Sequence, residues 1–124
     1  MSRELRIFTG QISKPYSDMV FVLDITVKSG DKTFAPTWGM VIGYKQKSLS
    51  SADYTSRYEQ MMAKSRHDNH DRWHEVIDRG AASGGLMLVC YCPKGQFCHR
   101  HLLKGYVADM AQELGYEVEI VPEL

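Results

Sequence analysis

The 124 residues predict an α/β fold: a single three-layer-like domain spanning 1–124, with a small, mostly parallel sheet flanked by helices. Three observations predict it. Strand-like apolar runs alternate with segments of helical period, and no repeat or linker divides them. The run from Met19 to Val27 is β-branched and almost continuously apolar, the pattern of a central strand covered on both faces. The last third reads strand, helix, strand, a unit that closes as a right-handed crossover with both strands parallel in one sheet.

The elements follow in order. Leu5 to Thr9 alternates weakly and stops at Gly10, a short first strand, and residues 11–18, with Pro15, connect it to the strand 19–27. Ser29-Gly30-Asp31 turns the chain. From Lys32 to Lys47 neither period dominates, because Phe34, Pro36, Trp38, Met40, Ile42 and Tyr44 are interspersed with glycines; a loop that long is functional or conceals an element. Ser50 and Ser51 supply hydroxyl caps, and Tyr54, Tyr58, Met61 and Met62 follow at helical spacing, which predicts a helix over 51–64. A second helix over 68–79 carries the stripe Trp73, Val76, Ile77 and ends at Gly80. Leu86 to Cys92 is a strand, a helix runs from near Cys98 through Leu114 to Gly115, and Tyr116 to Val121 alternates as a final strand before Pro122.

Composition narrows the function. Lys+Arg and Asp+Glu balance at 15 each, which argues against broad nucleic-acid or membrane-surface binding. Neither a signal-peptide core nor a bilayer-length apolar run is present, so the expected location is the cytoplasm of a bacterial cell, or of the host for a phage-encoded protein. Three cysteines cannot all pair within one chain, and reduced thiols are expected.

All three cysteines lie in the segment 86–101, where a strand, a Pro/Gly loop and a helix start meet. Ligands collect at such strand carboxyl ends, and the first turn of a helix favours a phosphate or carboxylate. Lys94, Gly95, Gln96, Phe97 and Arg100 are therefore candidate ligand-binding residues, and Arg100 has the fork to grip an anion. The same field favours Cys98 as a thiolate nucleophile or redox group, with His99 as acid or base. Cys90 reads more simply as core packing. A phosphatase-type loop needs Arg six positions after Cys, but six after Cys92 comes Cys98. The spacing Cys-x-Cys-x5-Cys-His-x-His also fits structural zinc poorly, and no metal or cofactor is expected. His67, His70 and His74 lack the Glu of a zincin helix and read as a solvated face.

The run Leu88 to Leu103 resembles the signature of the family called domain of unknown function 488, in which a strand ending in Cys-x-Glu or Cys-x-Cys precedes a loop and a Cys-His-Arg helix start. Asp24 after an early strand, and Tyr54 and Tyr58 in mid-chain, agree with it, and the segment 34–44 is similar to a bacterial and phage subgroup. Cys92 stands where many relatives carry Glu. The resemblance implies an α/β fold and a shared pocket without implying a reaction.

The expected pocket joins Asp24, the 34–44 loop and residues 92–100, with Thr37, Trp38 and Tyr44 as ligand contacts. The expected function is binding of a small phosphorylated or nucleotide-derived ligand, of the kind a phage-type anti-defence protein would capture from its host. The alternative is a hydrolase or glycosidase-like enzyme acting on such a ligand through Cys98, His99 and Asp24, the last as general base or ribose anchor. A protein-binding adaptor using the aromatics of 34–44 is the reading from another class, and a homodimer that completes the pocket suits a chain of this size.

Overall fold

Strand β1 (Arg3–Gln11) is the spine of the sheet, and both its neighbours run parallel to it: β3 (Leu86–Cys90) on one side and β4 (Tyr116–Ile120) on the other. Strand β2 (Phe21–Asp24) completes the order β2-β3-β1-β4, also parallel. The structure is a computed structural model and describes residues 3–12, 19–92 and 97–123. Four helices accompany the strands: α1 (Trp38–Lys45), α2 (Ser51–Asp68), α3 (His70–Ala82) and α4 (His99–Glu113). The α/β class is as the sequence predicts, with every described strand pairing parallel.

Register explains the core. Partners in a parallel pair project to the same face, so Ile7 with Leu86, Leu5 with Val118, and Leu23 with Leu88 form one apolar surface. Leu5, Ile7, Leu86 and Leu88 are each at most 1% exposed, joined in the core by Trp73, Val76 and Ile77 of α3 and Leu103 and Val107 of α4. Helix α2 packs on α3 and α4 and adds Tyr54, Tyr58 and Met62. The described helices α2, α3 and α4 thus gather over this one face. The opposite face carries Phe8, Met87 and Val89 at its centre, with Val22 at the β2 edge and Arg6, Glu117 and Glu119 toward the β4 edge.

Several boundaries differ from the sequence reading. The strand expected over 19–27 as a central one is instead the short edge strand β2, which ends at Asp24 because its carboxylate accepts from Thr26 N at 2.9 Å and Ser29 Oγ at 2.6 Å and turns the chain. The segment 32–47 conceals α1, capped by the Thr37 hydroxyl, which accepts from Met40 N at 3.2 Å. Two glycines in eight residues, Gly39 and Gly43, blur its helical period. Helix α2 runs on to Asp68 and α3 starts at His70, so the two are nearly continuous through Asn69. Strand β3 stops at Cys90, two residues early, and β1 extends beyond the expected 5–9 at both ends. Of the connection expected over 11–18, residues 13–18 lie outside the described residues.

Gly85 opens β3 at φ +150°, where a Cβ would stand 2.5 Å from Phe8 Cε2 and 2.8 Å from Arg6 O. Gly85→Ala is therefore expected to cost about 1–3 kcal/mol in urea denaturation. Gly105→Ala, where a Cβ meets nothing within 4 Å inside α4, is expected to be neutral or to gain up to about 1 kcal/mol.

Candidate functional site

The carboxyl ends of β2 and β3 open toward one rim of the sheet, and the segments that leave them enclose a cavity of about 250 Å³. Thr26, Val27 and Lys28 come from the turn after β2, and Cys90, Tyr91 and Cys92 from the end of β3. Trp38, Val41, Tyr44 and Lys45 are supplied by α1, Tyr54 by α2, and Phe97, Cys98 and His99 by the entry to α4. Rings hold these segments together. Tyr44 packs on Tyr54 at 5.9 Å and on Phe97 at 5.0 Å, and Tyr54 meets Phe97 edge-on at 5.3 Å between centroids. Trp38 and Tyr91 remain 53% and 55% exposed at the mouth, with aromatic surface open to a ligand.

The floor is sulfur and imidazole. Cys98 is the extended N-cap residue of α4, and its sulfur lies with those of Cys90 and Cys92, all three within 4.8 Å of one another. Where the composition predicts separate reduced thiols, Cys90 and Cys98 are in disulfide contact, because the end of β3 and the start of α4 converge there. His99 is buried, with Nε2 2.6 Å from the Ile25 carbonyl and Nδ1 3.6 Å from Cys98 Sγ. A carbonyl only accepts, so Nε2 carries the proton and Nδ1 presents a lone pair to the sulfur. Burial is the main cause that lowers the His99 pKa to about 4; the Ile25 hydrogen bond and Asp24 oppose it, and the ring is neutral at pH 7.

Arg100 does not face the cavity. Its guanidinium is fully buried, donating from Nε and Nη2 to the Glu123 carboxylate at 2.9 and 3.0 Å, and from Nη1 to Cys92 O at 2.7 Å and Cys90 Sγ at 2.9 Å. Asp24 is likewise outside the lining. Burial alone would raise its pKa, but hydrogen bonds from Ser29 and Thr26 hold it below the usual carboxylate value. Thr37 caps α1. Of the residues singled out from sequence, the structure thus brings Trp38, Tyr44, Phe97, Cys98 and His99 into one cavity, and leaves Asp24, Thr37 and Arg100 around it. Lys94, Gly95 and Gln96 lie outside the described residues. Lys28, Lys45 and Tyr91 also line the cavity, and residues of these types carry no functional signal without the fold. Tyr54 was signalled only through the family pattern.

Parallel sheet, sulfur floor and aromatic mouth define an α/β domain with a cavity at its strand ends. The model of the family described as the Active DUF488-N3 subclade matches residues 23–111, and the chain belongs to that family, within domain of unknown function 488. No curated protein and no solved structure matches it. No helix among the described residues is long and apolar enough to cross a membrane.

Two consequences are measurable. His99 titrates near 6.5 when unfolded and at about 4 when folded, so the unfolded chain binds more protons between those values. Its contribution is complete above about pH 6.5 and falls away as pH drops toward 4, by up to about 3 kcal/mol. Chemical denaturation at pH 7 and pH 5 should show a shallower decline for His99→Gln, whose amide can still donate to Ile25 O. Removing one partner of a buried ion pair costs about 3–5 kcal/mol, the loss expected in urea for Arg100→Ala. Arg100→Lys should recover less than half of it, because one ammonium cannot replace the paired bonds to Glu123.

Proposed function

We propose that the protein binds a small nucleotide-derived ligand, with its flat ring among the cavity aromatics and its phosphate toward Lys28 and Lys45. The observation that carries this reading is the half-open aromatic cavity. A volume of about 250 Å³ suits a base or nucleoside fragment with the remainder at the mouth, and Trp38 and Tyr91, each about half exposed, offer ring surface for stacking. The phosphate contact moves from the Arg100 of the sequence reading to the two lysines, because Arg100 is spent on Glu123 and the end of β3. Capture of a nucleotide signal in the cytoplasm, as in a phage-type anti-defence role, is the setting this reading suits.

A second reading is favoured by one contact. In the reduced chain, with Cys98 released from Cys90, the Nδ1 lone pair of His99 facing Cys98 Sγ is the pairing of a nucleophile with its base, which supports cleavage of an N-glycosidic or phosphoester bond in the same ligand. The family description itself carries the word "Active".

Thermal-shift and calorimetric titration with nucleosides, nucleoside monophosphates and ADP-ribose test the proposal. Binding is expected, with stabilisation of about 2.7 kcal/mol at a hundredfold excess over Kd. Trp38→Ala should weaken it by about 1–3 kcal/mol, the worth of one stacked base. Lys45→Ala should weaken phosphorylated ligands more than the nucleosides. No shift with any of these compounds would overturn the proposal, and ligand recovered chemically altered, by mass spectrometry, would select the enzyme.

A further inference from the structure

We propose that Cys90, Cys92 and Cys98 form a zinc site with three protein ligands and a fourth coordination position directed into the aromatic cavity. The convergence follows from the fold. Cys90 closes β3, Cys92 follows two residues later where the chain bends away from the strand, and Cys98 meets both from the N-cap of α4, so the three sulfurs come together. Zinc–sulfur bonds of about 2.3 Å in a tetrahedron place ligand sulfurs about 3.8 Å apart. All three sulfurs already lie within 4.8 Å of one another, and side-chain rotation in the reduced chain would part the Cys90 and Cys98 sulfurs, which are in contact. All three residues also line the cavity.

The backbone favours a metal over a simple disulfide. The Cα atoms of Cys90 and Cys98 are 7.9 Å apart, beyond the roughly 7 Å that a disulfide bridges without backbone movement. A disulfide would also leave the third sulfur of the group, Cys92, unaccounted for, whereas a d10 ion with a preference for thiolates uses all three. On binding, three Zn–S bonds form and the thiol protons go to solvent. The surroundings accept the resulting negative charge: Arg100 Nη1 donates to Cys90 Sγ at 2.9 Å, and the N-terminal end of α4 points its dipole at Cys98. Arg100 is thereby a positioning residue for the sulfurs. The site does not depend on the nucleotide reading, although a zinc-held Cys98 is no longer the free nucleophile of the second reading.

The test is zinc titration of the full chain, reduced and stripped with a chelator, against a chromophoric competitor. The expected result is one zinc per chain. Cys90→Ser, Cys92→Ser and Cys98→Ser should each weaken binding by more than the roughly 100-fold that losing a supporting hydrogen bond costs. His74→Ala, on the exposed face of α3, should leave it unchanged. Should the serine variants misfold, cobalt substituted into the wild-type chain decides by itself, since three thiolate ligands give an intense sulfur-to-metal charge-transfer band. Absence of that band, zinc lost only in His74→Ala, or a reduced chain that takes up no zinc would each overturn the site.

Discussion

A cation with no access to water sets the geometry of everything near the cavity. The Arg100 guanidinium is 0% exposed, and a buried charge of this kind is tolerable only when it is paired and its N–H groups are used. Glu123 supplies the opposite charge in a two-point contact, and the end of β3 supplies Cys92 O and Cys90 Sγ. One side chain therefore ties the first turn of α4 to the strand that precedes it and to the tail that follows β4. These are three segments far apart in sequence, and the sulfur floor lies where they meet.

The aromatic mouth is assembled by a separate device. Helix α1 is short and glycine-bearing, with little helical stability of its own, and is held by the Thr37 cap and by Tyr44 packing on Tyr54 and Phe97. Tyr58, buried beneath them, donates to Phe34 O at 2.7 Å and packs on His99 at 5.6 Å between ring centroids, so the segment before α1 and the start of α4 share one anchor on α2. The floor is thus fixed by charge and hydrogen bonds, and the walls by ring packing.

The legible part of this molecule was the part governed by periodicity. The strand runs, the caps at Ser50 and Gly115, and the strand-loop-helix turn around Cys98 all carry local signals, and the structure places them within a few residues of where the pattern does. What local pattern does not contain is direction. Asp24 has the residue type of a general base, yet its carboxylate is used by the turn it initiates. Arg100 has the residue type of an anion clamp, yet it points into the protein, and only the arrival of Glu123 from the far end of the chain makes that affordable. Helix α1 escaped because Gly39 and Gly43 depress helical propensity, a deficit recovered through tertiary contacts with α2.

The same limit explains why Cys-His-Arg cannot be read as one functional unit. The three residues are the N-cap and first two positions of α4, and each step around a helix start turns the side chain by about 100°. Cys98 is extended and faces the other sulfurs, His99 reaches across to the Ile25 carbonyl after β2, and Arg100 turns toward β3 and Glu123. Contiguity in sequence thus becomes divergence in space: a sulfur in the cavity floor, a neutral ring bonded to the neighbouring turn, and a buried cation that holds the frame. Because all three leave one helical turn, moving any of them moves the sulfur, and a loss of function on mutating His99 or Arg100 would not by itself make either a catalytic residue.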